Sequence, residues 1–370
     1  MRKRILCAFI AGAAVALAAS GALQAAPAPG ISVNETARFL AGIPAPPSSP
    51  LAPFNLEAHW LNHARFFDLA WAKLDARRLS RISRWDEAAI PRSLPVLYYM
   101  FSGPDYLYAD AFFPNASTYI LCGTEPVGSI PDISQTTAAT LPPTLENLET
   151  SLYSVLNFGY FITKDMRKDL QNQQASGTIP ILLIFLARSN KQILDATYVT
   201  LDGSGAVHPS GSGVKGSRGA IPGVRFTFKP GGKGPKKTLY YFNTDISDGG
   251  IHETPGFLRF CQGFGVGDSL LKSASYLLHQ DGFSSIRTFL LSRSRTILED
   301  DSGIQISYFT PDKWTLRVFG NYVGPIGLFA QYYQPRLEAL FKESNPAQLD
   351  FGMGYRWDTT HTSLILAVRK

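Results

Sequence analysis

The chain has 370 residues, of which 45% are hydrophobic, 12% aromatic and 17% charged. That is a globular composition; it excludes wholesale disorder and a coiled coil, and the length suits one large domain or two. The formal charge of +6 falls to +3 without Arg2, Lys3 and Arg4, too small a surplus to point to nucleic acid.

Met1–Ala25 reads as a secretory signal: a basic start, an apolar run from Ile5 to about Ala19, then small residues before the cut. That apolar run is shorter than the roughly 20 residues that span a bilayer. Cleavage therefore predicts a periplasmic or secreted protein. No later apolar run is longer than Ile179–Ala187, so the mature chain is expected to have no transmembrane span. Cys122 and Cys261 remain after cleavage, and an oxidising compartment allows one disulfide between them, with two separately buried thiols as the alternative.

Residues 26–53 are rich in Pro and Ala and predict an extended leader with at most one helical turn, over Glu35–Leu40. Asn55–Trp85 has helical spacing, with Leu56, Trp60, Phe67, Trp71, Leu74 and Trp85 on one stripe. Leu94–Phe101 is a continuous apolar run, as in a strand buried on both faces. An apolar-aromatic run, Tyr106–Phe113, and a strand, Thr118–Cys122, follow it. Pro142 opens a helix that Gly159 stops, and Ile179–Ala187 predicts another helix, with strand as the alternative.

Ile193–Leu201 alternates as a strand does. Val224–Lys229 and Lys237–Phe242 form a hairpin around a Gly/Pro-rich turn, and Gly203–Pro222 predicts a mobile loop. Helices are expected to begin at Thr254, Asp268 and Ser284, the last running to Leu298. Trp314–Phe319 reads as a strand, Ile326–Phe341 as a helix and Ser363–Val368 as a closing strand. The expected fold class is α+β: a mixed sheet with hairpin-connected strands, packed by several helices into a single compact unit spanning residues 54–370.

Several groups carry chemistry. His59 and His63 stand at i, i+4, a spacing that can share a metal, but the Glu of a metalloprotease motif is missing and a helix-edge hydrogen-bonding role is preferred. Gly263-Phe-Gly265-Val-Gly267 follows a helical segment and not a strand, so it fails as a dinucleotide loop. No motif calls for a cofactor or a metal. Leu97–Tyr119 holds eight aromatics in 23 residues, with Ser102-Gly-Pro-Asp105 directly after the buried strand and Asp110 further on. Tyr98, Ser102, Asp105, Tyr106 and Tyr108 are the candidate binding residues, because rings stack on apolar sugar faces and carboxylates accept hydroxyl protons; core packing beside a tight turn is the alternative. Asp245, Asp248, His252 and Glu253 lie within nine residues and could bind calcium or another metal, though not as an EF-hand, or supply a general acid or base; a turn before a Thr254 cap is the alternative. Glu299-Asp300-Asp301 sits at what reads as a helix end, where the dipole disfavours anions, so Arg293 and Arg295 are expected counter-charges, with a bound cation or substrate as the alternative.

The runs LYYMFSGPDYLYADAFFPNASTYILCGTEPVG, TLYYFNTDISDGG and DDSGIQISYF resemble a family of exported bacterial proteins of unknown function. The resemblance implies that the three runs belong to one unit and that the protein is a stand-alone exported module. Two functions follow. The first is a module binding a small ligand, a glycan or an envelope protein through an aromatic-lined cleft. The second is an envelope hydrolase that draws on carboxylates from Asp105, Asp110, Asp245, Asp248, Glu299, Asp300 and Asp301, with His252 as base. The three acidic runs are expected on one side of the fold, since polar groups after strands gather at one rim of a sheet.

Overall fold

Val96–Tyr99 (β1) is buried at every position, and its side chains alternate between two separate hydrophobic cores. Leu97 and Tyr99 pack into one, Val96 and Tyr98 into the other. A strand with period-two geometry and apolar residues on both faces belongs in the middle of a covered sheet. In the computed structural model, which describes residues 30–159, 176–210 and 219–370, that is its place.

The other strands are Thr118–Gly123 (β2), Lys191–Leu201 (β3), Val207–Pro209 (β4), Ile221–Pro230 (β5), Lys237–Asn243 (β6), Gly267–Leu271 (β7), Ser294–Glu299 (β8), Trp314–Gly320 (β9) and Ser363–Arg369 (β10). They form one mixed sheet in the order β4-β3-β5-β6-β2-β1-β7-β8-β10-β9. Its centre is parallel: β1 pairs with β2 and β7, β2 with β6, and β7 with β8, all in parallel register. Antiparallel strands extend both edges.

From β1 the chain moves to β2, continues to the far edge at β3 and β4 and comes back inward through β5 to β6, then crosses to β7 on the other side of β1 and moves outward to β8. Right-handed crossovers running in opposite directions place their helices on opposite faces. Val33–Leu40 (α1), Ala58–Leu74 (α2), Ser80–Ala89 (α3), Tyr106–Phe112 (α4), Leu141–Phe158 (α5) and Ile179–Arg188 (α6) cover the Leu97/Tyr99 face. Asp248–Glu253 (α7), Gly256–Gly263 (α8) and Ser284–Arg293 (α9) lie on the Val96/Tyr98 side, and Pro335–Ser344 (α10) packs a small third cluster against β9. The result is a single compact α+β unit with a doubly wound centre.

Several expectations change. The leader is not merely extended: Ser32 and Glu35 form a capping box for α1, which buries Phe39 and Leu40. Residues 30–53 therefore belong to the folded unit. Helices do not begin at Asp268 or run on to Leu298; Asp268 lies in β7, and α9 stops at Arg293, where the chain turns directly into β8. Both strands are covered on both faces, so they lack the alternation that distinguishes strand from helix. The Ile326–Phe341 segment divides into a 3-10 stretch, Gly327–Tyr332, and α10. Part of Gly203–Pro222 is paired in β4 and β5, while residues 211–218 lie outside the described residues. The proposed signal segment also lies outside them. Among the described residues no helix is long and apolar enough to cross a membrane.

Candidate functional site: a cleft at the strand ends

Parallel strands present all their carboxyl ends on one edge, and a crevice opens there where the winding reverses. In this sheet the reversal falls at β1. A cleft of about 300 Å³ opens at that edge, lined by Phe101 and Gly103 after β1, Cys122–Glu125 at the end of β2, Thr244–Ile246 after β6, and Ser273–Ser275 with Leu277 after β7; Phe283 closes one side.

The backbone around the cleft is strained. Of the six described non-glycine residues with positive φ, four stand here: Phe101 at 60°, Ser273 at 52°, Ser275 at 53° and Tyr276 at 56°. Each such conformation costs about 1–3 kcal/mol and persists only where surrounding contacts over-determine it.

Glu125 is the central polar group. It is 4% exposed, yet it has no cationic partner among the described residues. The Tyr241 hydroxyl donates to the Glu125 main-chain oxygen at 2.8 Å and stands 3.4 Å from Oε2, so one proton serves mainly the carbonyl. Asn243 Nδ2 donates to the same carbonyl at 2.7 Å. The main chain of Glu125 is thus pinned, and its side chain lines the cleft. Gly123 creates its berth: a Cβ there would stand 2.2 Å from Oε2, while one on Gly103 would make ordinary contact at 3.5 Å. Across the cleft, the Ser273 hydroxyl is buried with no hydrogen-bond partner among the described residues. Cys122 is no nucleophile, because burial pushes its thiol up to about 12.

Beside the cleft lies a closed ionic network. Lys272 Nζ stands 2.8 Å from Asp105 Oδ2, with both side chains 2% exposed, and 4.2 Å from the centre of the Tyr108 ring. The Tyr99 hydroxyl donates to Asp105 Oδ2 at 2.8 Å, and Tyr108 N donates to Oδ1. Asp105 thereby caps α4. Asp300 accepts from the main-chain N of Ser273 at 2.9 Å and from the N and hydroxyl of Ser302. Burial raises its carboxyl, while Lys272 acts in the opposite sense.

All three expected runs therefore follow carboxyl ends of parallel strands, Ser102–Asp105 after β1, Asp245–Asp248 after β6 and Asp300-Asp301 after β8. Only part of them reaches the cleft. Asp245 lines it, its Oδ1 accepting from Ser247 N at 2.8 Å. Ser102 is buried behind it, where its hydroxyl donates to the Gly103 and Cys122 carbonyls. Asp248 caps α9 through Ser284 and Ser285. Asp301 accepts from the Tyr276 hydroxyl at 2.6 Å. Glu299 is fully buried and accepts from Ile304 N, and burial raises it well above the carboxylate range. His252 is exposed on α7. Asp110 pairs with Lys191 at 2.8 Å and lines a different surface pocket.

The aromatic expectation changes most. Tyr98, Tyr106 and Tyr108 are each fully buried and do not line the cleft. Tyr98 donates to the Cys261 and Gly265 carbonyls on the far face, and Tyr106 to Asp110. The rings that do line the cleft are Phe101 and Phe283, with centroids 5.8 Å apart. Because Glu299 ends a strand, no helix dipole opposes the acidic run. Arg295 serves Asp268 at 3.6 Å, while the charges of Lys272 and Arg356 act on Asp300 and Asp301 respectively. Cys122 and Cys261 are free buried thiols, so the disulfide does not form. His63 bridges the Leu40 carbonyl and Glu149, each at 2.8 Å, while His59 is exposed; among the described residues no group of three ligand-type side chains is arranged to hold a metal.

Glu125 and Lys272 escaped the sequence reading. Glu125 is a lone acid in Gly-Thr-Glu-Pro, and Lys272 follows an apolar segment read as helix. Pairing Thr118–Cys122 with the strand before it would have placed Glu125 at a strand end beside Ser102–Asp105.

Fold and cleft together define a doubly wound sheet with a ligand-sized crevice at its switch point. Comparison of the chain with family models, with curated proteins and with solved structures finds no match.

Proposed function

We propose that the protein is a small-ligand-binding module whose ligand sits in the strand-end cleft and donates hydrogen bonds to Glu125. The observation that carries this reading is the buried carboxylate lining an open cleft with no cation beside it. A carboxylate without a paired cation is a strong acceptor for a ligand hydroxyl or amine. Asp245 supplies a second polar contact, and Phe101, Ile246, Leu277 and Phe283 supply apolar walls. Sites of about 300–1,000 Å³ with mostly apolar walls and a few convergent polar groups are the usual form for small ligands. Export to the periplasm belongs to the same proposal and rests on the Met1–Ala25 segment.

The hydrolase reading has less support. Asp105 is committed to Lys272, Asp248 to a helix cap and Asp300 to a turn, and His252 is exposed away from the residues lining the cleft. A thermal-shift panel of polyols, sugars, amines and nucleosides tests the binding proposal. A ligand at 100 times its Kd adds about 2.7 kcal/mol of stability. At least one class should raise the Tm saturably, and Leu277→Trp, which fills the cleft, should abolish the shift. A shift that survives the filled cleft would place the ligand elsewhere and contradict the proposal.

A further inference from the structure

Four observations narrow the ligand of this cleft. First, Glu125 lies 22 positions after Gly103, at the end of the strand next to β1, and its carboxylate is held over the glycine of the turn that follows β1. An acid about 20 residues beyond the first βα turn of a doubly wound sheet is placed to accept both hydroxyls of a ribose. A carboxylate matches a cis-diol because each oxygen takes one O–H. Second, Asp245 stands on the next strand. Gly123 pairs with Asn243 in register, so Glu125 and Asp245 each lie two residues beyond a paired position. Neighbouring strands are about 4.8 Å apart, which makes Asp245 a second acceptor along the same wall.

Third, Phe101, Ile246, Leu277 and Phe283 offer apolar faces suited to a flat heteroaromatic ring. Fourth, the cleft repels phosphate. Among the described residues no lysine or arginine lines it. Lys272 is taken by Asp105, and the Asp105 carboxylate occupies the N-terminus of α4, where a nucleotide-binding sheet would hold pyrophosphate. A dinucleotide would also overfill about 300 Å³.

We propose that the ligand is a purine ribonucleoside carrying an exocyclic amine and no phosphate, its 2′,3′-diol on the Glu125 carboxylate and its amine on Asp245. This rests on the cleft being the ligand site, as proposed above. Unshared carboxylates on one wall also favour a nucleoside that is neutral or positively charged at its 5′ substituent.

Calorimetric titration of the full chain with adenosine, 2′-deoxyadenosine, inosine and AMP provides the test, with xylitol and ethanolamine as non-nucleoside probes. Adenosine should bind at least tenfold more tightly than 2′-deoxyadenosine and than AMP. Glu125→Gln should bring the adenosine/2′-deoxyadenosine ratio close to 1, and Asp245→Asn should reduce the preference for adenosine over inosine. A merely structural Glu125 would weaken both nucleosides together and leave their ratio intact. Equal binding of adenosine and 2′-deoxyadenosine by the unaltered chain would overturn the assignment. So would saturable binding of the polyol or the amine, blocked by Leu277→Trp, with no nucleoside binding; that result leaves the binding module standing. No saturable ligand of any class would remove both.

Discussion

Lys272 and Asp105 show how the cleft is kept in shape by residues that do not touch its contents. A buried ion pair gains little over a well-packed apolar pair, but removing one partner strands a charge and costs about 3–5 kcal/mol. Lys272→Met should therefore destabilise the chain by roughly that amount in urea unfolding, and Lys272→Met with Asp105→Asn should recover much of the loss. Recovery is the informative result, since two independent losses would add. The pair was only half legible in sequence. Asp105 stood out in a Ser-Gly-Pro-Asp turn, but its partner lies 167 positions later and is brought in by strand pairing alone.

Buried carboxyls also make the fold sensitive to pH. Burial, followed by the Asp300 charge, raises Asp301, and burial with Glu87 pushes Asp86 to about 7. Burial raises Asp300 and Glu299 as well. An acid whose pKa is higher in the folded chain than in the unfolded one holds its proton more tightly when folded. Its stabilisation is complete below pH 4 and is lost as pH rises through the folded value. These groups should therefore make the Tm fall between pH 4 and pH 7. Asp301→Asn, which keeps an acceptor for Tyr276, should flatten that slope; an unchanged slope would show that Asp301 stays ionised throughout.

At the scale of elements, α1 is the sharpest departure from composition. Pro/Ala-rich flanks suggested a leader, yet Ser32 and Glu35 cap a helix whose Phe39 stacks on Trp60 with ring centroids 5.5 Å apart. The helix also carries Leu40, whose carbonyl meets His63. Phe39→Ala should cost about 3–5 kcal/mol, as a large ring removed from a packed core does. Limited proteolysis should spare residues 33–40; early cleavage inside them would contradict the packing. Elements with flanking turn signals, such as β1, β2 and the β5–β6 hairpin, were legible because pattern and length agreed. The α9–β8 junction was not. Ile286, Phe289 and Leu290 lead through the polar Ser292–Thr296 to Ile297 and Leu298 with no Gly or Pro to divide helix from strand.

For the whole molecule, the order β6-β2-β1-β7-β8 explains why distant segments of sequence converge. Each loop after a parallel strand must emerge on the same edge, so Phe101, Glu125, Asp245 and Ser273 meet without being near in sequence. The expected gathering of three acidic runs was sound as topology and incomplete as chemistry, because most of those carboxylates hold turns and helix caps. Of the aromatic wealth of Leu97–Tyr119 only Phe101 lines the cleft; the other rings fill the core on both faces of β1. A crystal structure of the protein soaked with adenosine tests the central claim most directly. Ligand density is expected in the strand-end cleft, with the ribose hydroxyls on Glu125 and the base between Phe101 and Leu277. Density confined to the Asp110–Lys191 pocket, or no density in the cleft at saturating nucleoside, would contradict it.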